Sequence, residues 1–490
     1  MTARTPLDSA TTTTAPARVD SRRWVALAVI ATAQLMVALD ATVVNIALPS
    51  AQHALGGSDA ERQWVITAYT LVFGSLLLLG GRIADVAGRK RTFLVGLGGF
   101  AVASALGGAA PSFGFLLGAR ALQGAFAALL TPTALSLLAV TFTEARERAR
   151  AFALYGAIAG TGGALGLILG GTLTQYLSWR WCLYVNVVIA VPAALGAWWV
   201  LSDGRGQRGA RFDVAGVVLA VAGLAAVTYA CTRAVADGWG APPVVALLAA
   251  AVVLLALFLL RQATAAAPLL PLRILRDRNR AGAYIAVAAA VAAMYGAFLL
   301  LTYEFQVVLG YSPVRAGLAF LPLSAVVLAS SGGIASRLVP RVAPRLLIVP
   351  GLLVAAAGMM VLSRLHVGAT YAADILPAEV LLGLGMGCIF VPAFNLATLG
   401  VAPREAGVAS ATVTTAQQVG GSVGTAFLNT VAAGATASAL VAHGASHLTR
   451  TAALVHGYSV ATTWAAGILA AAALLAAALI TAHSVRRNGG

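Results

Sequence analysis

Fourteen long apolar stretches follow one another along this chain, at 24–49, 63–80, 92–109, 113–140, 151–174, 181–201, 214–232, 242–260, 281–303, 317–336, 345–363, 375–398, 406–434 and 457–483. About 20 apolar helical residues cross a hydrocarbon core about 30 Å thick, so the expected fold is an all-α integral membrane protein of fourteen transmembrane helices. Charge agrees. Only 10% of the residues are Asp, Glu, Lys or Arg, against roughly 25% in a soluble domain. Water-soluble, collagen-like and disulfide-scaffold folds are excluded, because the 52 glycines follow no triplet period and the three cysteines, Cys182, Cys231 and Cys388, lie far apart. The cysteines read as small core residues.

An even number of spans places both termini on one side of the membrane. With Arg345, the first residue of its span, counted in the preceding loop, the N-terminal tail, every second loop and the C-terminal tail hold 25 of the 32 Lys and Arg residues, the other loops hold six, and Arg120 alone lies in a span interior. By the positive-inside rule both termini are expected in the cytoplasm of a multi-pass plasma-membrane protein. This asymmetry absorbs the net charge of +16 as orientation signal and lipid-headgroup contact, without a nucleic-acid partner. Residues 1–23 are expected to be a disordered cytoplasmic tail and 484–490 a second, short one.

A repeat runs through the chain. Arg146-Glu147 precedes Gly162-Gly163-x-x-Gly166 by the same interval that separates Arg404-Glu405 from Gly420-Gly421-x-x-Gly424, an offset of 258 residues. Gly81-x-Ile83-Ala84 echoes Gly332-x-Ile334-Ala335 at an offset of 251. Both offsets carry a span onto one eight helices later in the same orientation, a parallel repeat of the kind found in transporters. The expected domains are an N-terminal six-helix bundle, 24–201, an inserted helix pair, 214–260, and a C-terminal six-helix bundle, 281–483.

Polar residues inside the spans mark the candidate site. Asp40 lies well inside the first span, where a carboxylate costs about 2.5–3.5 kcal/mol on insertion scales. It therefore needs a partner, a cavity or a proton. A carboxyl that alternates between an apolar surrounding and an arginine neighbour takes up and gives up a proton, so Asp40 and Arg120 are the candidates for proton coupling, with a permanent structural pair as the alternative. At 100° per residue Gln34, Thr42 and Asn45 fall together on the first span while Asp40 points away from them. Gly162, Gly166 and Gly170 recur every fourth residue and let their helix approach a neighbour at backbone distance, either as packing alone or as a surface between the two halves. Asp85, in a short loop with Gly81 and Gly88 to turn it and Arg89 and Lys90 beside it, is placed to latch onto a cationic group or a helix N-terminus of another element. Candidate cavity residues are Asn45, Gln123, Glu304, Glu379, Asn395 and Gln417. For Glu304 and Glu379, near span ends, interfacial exposure is the default expectation.

The loop Gly81-Arg-Ile-Ala-Asp85-Val-Ala-Gly88-Arg89-Lys90 resembles the signature of the major facilitator superfamily. Leu39-Asp40 through Pro49 is similar to the first-helix signature of its fourteen-helix drug:proton antiporter branch, the EmrB/QacA type of multidrug efflux transporter. Arg120-Ala-Leu-Gln123-Gly124 resembles the superfamily's membrane-buried arginine motif. Gly162 through Gly171 resembles the antiporter signature, with Leu167 where a proline is usual, and Trp179-Arg-Trp181 through Asn186 follows as in that branch. The resemblance implies the major facilitator fold and a role for Asp40 and Arg120 in coupling efflux of a small amphipathic compound to proton entry, acting as a monomer without a cofactor other than the proton gradient. A siderophore or metabolite exporter is the alternative. A membrane-embedded enzyme or a non-transporting sensor is a weaker one, since no catalytic cluster and no domain-sized loop are present. Lys90, the chain's single lysine, follows an arginine, so no Gly-Lys-Ser/Thr phosphate loop exists. None of the histidines has zinc-ligand spacing.

Overall fold

The computed structural model describes residues 21–56, 59–202, 213–265, 268–402, 405–443 and 447–482. Of the expected terminal tails 1–23 and 484–490, residues 1–20 and 484–490 lie outside this set, as does Arg404, while residues 21–23 form the start of the first helix. Among the described residues every regular element is a helix. The N-terminal bundle consists of α1 (Ser21–Leu55), α2 (Asp59–Ala87), α3 (Arg89–Gly108), α4 (Phe113–Thr141), α5 (Ala145–Tyr176) and α6 (Trp181–Val200). The inserted pair is α7 (Val214–Asp237) and α8 (Pro242–Thr264), followed by the short α9 (Leu272–Arg276). The C-terminal bundle consists of α10 (Arg278–Tyr303), α11 (Pro313–Ala319), α12 (Leu321–Ala329), α13 (Ser336–Leu338), α14 (Arg345–Leu362), α15 (Leu376–Thr398), α16 (Ala406–His443) and α17 (His447–Leu479).

Thirteen described segments are long and apolar enough to cross a membrane, and α5, 32 residues long, occupies the position of the remaining expected span. The expected span 317–336 is not one continuous helix. It is divided into α11, α12 and α13, with a π-helical stretch at Ser330–Ala335 that contains Gly332 and Gly333. Proline at the start of α11 and α12 removes an amide donor and favours a new helix start there. Two further π-helical stretches, Glu304–Val308 and Tyr371–Ile375, flank α10 and α15.

The two bundles share one packing scheme. In the first, α2 and α3 both pack on α4, α1 on α5 and α6, and α3 on α6; in the second, α12 and α14 pack on α15, α10 on α16 and α17, and α14 on α17. The halves meet where α16 lies against α2 and α4 and where α5 lies against α11, α12 and α15. The inserted α7 touches both α2 and α16, and Trp239 at its far end donates from Nε1 to Thr430 Oγ1 at 3.0 Å. α8 is apolar on every side and buries only Val244, Ala251, Phe258 and Gln262, the pattern of a helix that faces lipid.

Candidate functional site

Asp40 is buried (1% exposed) inside the N-terminal bundle, where side chains from neighbouring helices converge on its carboxylate. From α4, Arg120 NH1 donates to Oδ2 at 2.7 Å and Gln123 Nε2 to Oδ1 at 2.8 Å. From α6, Asn186 Nδ2 donates to Oδ1 at 2.7 Å. Ser104 of α3 ties the network together, accepting from Asn186 Nδ2 at 2.9 Å and from Gln123 Nε2 at 3.2 Å while donating to the Leu183 carbonyl at 2.8 Å. Arg120 also donates to Gln123 Oε1 at 2.6 Å and lies 4.4 Å from the centre of the Tyr69 ring of α2. Two amide donors and a guanidinium fit an ionised carboxylate, and a buried ion pair needs such extra hydrogen bonds to offset its desolvation. Arg120 Nε, Asn186 Oδ1 and the Tyr69 hydroxyl are buried without partners, so unused donors and an acceptor stand around the pair.

Gln123, grouped by sequence with the cavity candidates, belongs to this network. Sequence reasoning does not place Asn186 or Ser104 at the site. Asn186 carries a usable signal, an amide in a span otherwise apolar around it. Ser104 carries none, since serine is common in membrane helices. Gln34 accepts from Tyr155 of α5 at 3.0 Å, away from Asp40. The side chain of Asn45 lies outside the described residues.

At the opposite end of α2, the motif Gly81–Lys90 joins the halves. Asp85 is buried and accepts from the backbone amides of Gly407 and Val408 at 3.0 and 3.1 Å. These are N–H groups in the first turn of α16, where the helix dipole favours an anion. Arg89 reaches back to Asp85 at 3.1 Å and to Ser136 Oγ at 2.7 Å. Gly88, at φ 97°, makes the one-residue turn into α3. Gly81 does not turn the chain: it is helical, and a Cβ there would stand 2.5 Å from Ala411 Cβ and 2.6 Å from the Gly407 carbonyl. Lys90 faces the Trp198 ring. Around this latch Arg148 of α5 donates to Thr398 of α15 at 2.6 Å, Arg280 donates to the Leu399 carbonyl at 3.1 Å, and Arg273 pairs with Glu405. Gly81→Leu is expected to pry α2 from α16. A membrane-impermeant maleimide applied from the arginine-rich face should then label an Ala411→Cys variant several-fold faster; unchanged labelling would mean that this contact does not close the face.

The glycine row settles against its own bundle. A Cβ on Gly162 would stand 2.5 Å from Ala38 Cβ, one on Gly166 would collide with Thr42 Oγ1, and one on Gly170 would stand 3.0 Å from Val43 Cα. All three partners are on α1, so the row is an intrabundle seam. Its repeat equivalents behave alike: Gly420 presses on Ala288 and Gly424 on Ala292, both on α10. A Cβ on Gly163 would stand 3.7 Å both from Phe298 of the other half and from Thr42 of α1, and one on Gly171 would stand 3.9 Å from Val314 of the other half.

Glu304 and Glu379 overturn the expectation of interfacial exposure, being 1% and 0% exposed. Position near a span end suggests water, but Glu304 opens one π-helical stretch and Glu379 follows another, both inside the protein, and the Tyr371 hydroxyl lies 3.1 Å from Glu379. Asn395 is buried with Oδ1 unpartnered, and Gln417 is half-buried on α16. Neither joins the Asp40 network. Among the described residues no group of three or more His, Cys, Asp or Glu is placed to hold a metal ion.

A family model described as the Major Facilitator Superfamily matches residues 30–425. The puromycin resistance protein pur8 of Streptomyces alboniger is 51% identical over 467 residues, 95% of this chain and 93% of that protein. The cephamycin export protein CmcT of Amycolatopsis lactamdurans is 39% identical over 84% of this chain and 85% of its own. Among solved structures, the human organic anion transporter MFSD10 superposes with a TM-score of 0.65 at 15% identity, covering 93% of this chain and 99% of that one, a likeness of fold.

Proposed function

The chain belongs to the Major Facilitator Superfamily, and from that premise we propose that it is a secondary transporter that expels an antibiotic or a similar small amphipathic compound in exchange for protons. The observation that carries the reading is the buried Asp40–Arg120 pair at 2.7 Å, in a chain whose relatives are named for antibiotic resistance and export. The arginine-rich face is taken as cytoplasmic, which places both termini there. On this assignment the Asp85 latch closes the cytoplasmic side, and Asp40 exchanges its proton when the bundles rock about the α5 and α16 contacts. Protonation removes the charge that holds Arg120, whose guanidinium is then left with Gln123 Oε1 and the Tyr69 ring alone. A buried cation left with neutral partners raises the energy of that state, so proton entry drives the conformational change.

The 51% identity to pur8 makes puromycin the first compound to test. An efflux-deficient host expressing the chain is expected to tolerate at least several-fold more puromycin than the empty host, with the difference abolished by a protonophore. Equal susceptibility to puromycin and to a panel of other antibiotics would favour a siderophore or metabolite as the exported compound.

A further inference from the structure

One buried acid in the C-terminal bundle has no place in this scheme. Glu379, in the first turn of α15, is 0% exposed. Its Oε2 lies 3.1 Å from the phenolic oxygen of Tyr371, and its Oε1 has no partner. The same phenolic oxygen lies 2.8 Å from the carbonyl oxygen of Ala319. A phenol has one hydrogen, and a carbonyl oxygen can only accept. If Tyr371 donates to Ala319, the contact with Glu379 contains a hydrogen only when the carboxyl supplies it. Glu379 also has no ion-pair partner among the described residues, and an ionised carboxyl buried without a cation is strongly disfavoured.

We propose that Glu379 is a second proton-carrying group, and that Tyr371 converts its protonation into the attachment of the α11–α12 joint to α15. The proposal deepens the proton-exchange reading and rests on it for the direction of proton flow. With the proton bound, the Glu379 O–H donates to the Tyr371 oxygen and the Tyr371 O–H donates to Ala319. When the proton leaves to water, the carboxylate becomes the stronger acceptor and takes the phenolic hydrogen. The Ala319 carbonyl then loses its donor. Ala319 is the last residue of α11, and both α11 and α12 pack across the molecule on α5. One proton therefore alters a bond inside the C-terminal bundle, on a segment that packs against α5 of the other half.

Its surroundings suit this role. Tyr371 opens the π-helical stretch Tyr371–Ile375, an irregularity frequent at functional positions. It is half-buried, with the Phe305 ring 5.9 Å from it and stacked on Tyr311. Tyr371 is the titratable group that bonds Glu379. Of the elements packed on α15, α12 and the Ser330–Ala335 stretch carry none. α14 carries only Arg345, at its latch-side end. α10 brings Tyr284 and Tyr295 besides its latch-side arginines and is followed by Glu304, α5 brings Arg146, Glu147, Arg148, Arg150, Tyr155 and Tyr176, and α16 brings His443. The Tyr371–Ile375 stretch adds Asp374, which is occupied by the Thr370 amide. Glu304 differs in that neither of its carboxyl oxygens has a partner.

Two measurements on the full chain test the proposal. Infrared spectra of wild type and Glu379→Gln in nanodiscs, at neutral pH and without substrate, are expected to differ by one carboxylic-acid carbonyl band. That band should shift on carbonyl-labelled glutamate and move in Tyr371→Phe, which keeps Glu379 but removes its partner. Superimposable spectra would overturn the proposal whatever the fate of the transport reading. In proteoliposomes, Glu379→Gln retains a donor to Tyr371 and is expected to fold, yet to lower the steady-state puromycin gradient about tenfold per pH unit of imposed gradient, the loss of one coupled proton. An undiminished gradient would show that Glu379 carries no transported proton. Should Asp40→Asn leave pH-driven accumulation intact while Glu379→Gln reduces it, coupling through Asp40 falls and coupling through Glu379 stands.

Discussion

Asp40→Asn is expected to yield a protein that binds its substrate but maintains no gradient of it. Asparagine keeps an oxygen facing Arg120, and Gln123 and the Tyr69 ring retain their contacts with the guanidinium, so the bundle should hold together. What is lost is a group that can gain and lose a proton. One elementary charge moving through 100 mV releases about 2.3 kcal/mol, which supports roughly a 40-fold gradient of a neutral solute. In proteoliposomes with an imposed proton gradient, puromycin accumulation by the variant should fall from that order to none. Equilibrium binding should stay within a few-fold of wild type. Accumulation at the wild-type level would remove Asp40 from the coupling mechanism and leave the pair a structural one.

Removing the other partner should cost stability outright. Arg120→Met leaves the Asp40 carboxylate with two amide donors and no cation, at a site where Asp40 and Arg120 are 1% and 2% exposed. Breaking a buried pair from one side costs about 3–5 kcal/mol, because an uncompensated charge remains. Thermal unfolding in detergent should show a large drop for Arg120→Met and substantial recovery in the double variant Asp40→Asn/Arg120→Met, which removes both charges. The recovery is the diagnostic part. Additive losses would mean that the two side chains act independently, against the 2.7 Å contact.

Asp40 and Arg120 stand out in the amino-acid sequence because a charge in an apolar span is conspicuous on its own. The helix count, the charge asymmetry and the repeat are legible for a similar reason, each being a property of one segment or of a fixed offset. The glycine row illustrates the limit. Its spacing announces a close approach, but whether Gly166 meets the other bundle or its own α1 depends on how the helices are rotated. The structure puts Thr42 of α1 against it. Gly81 reads as a turn residue beside Gly88, and only the packing of α2 on α16 shows that it is there to let two backbones meet.

Taken alone, the residue order determined that the chain crosses a bilayer, which orientation its basic loops favour, and that Asp40, Arg120 and Asp85 needed partners, because hydrophobic length and isolated charge act locally. Tertiary structure decided who those partners are. Asn186 and Ser104 join the Asp40 network from helices far away in sequence, and Asp85 finds the amides of Gly407 and Val408, 322 and 323 residues on. It also decided that Glu304 and Glu379 are buried. Burial and hydrogen bonding depend on which atoms converge in space, and convergence is set by helix rotation and by irregular π-helical joints that no periodicity announces.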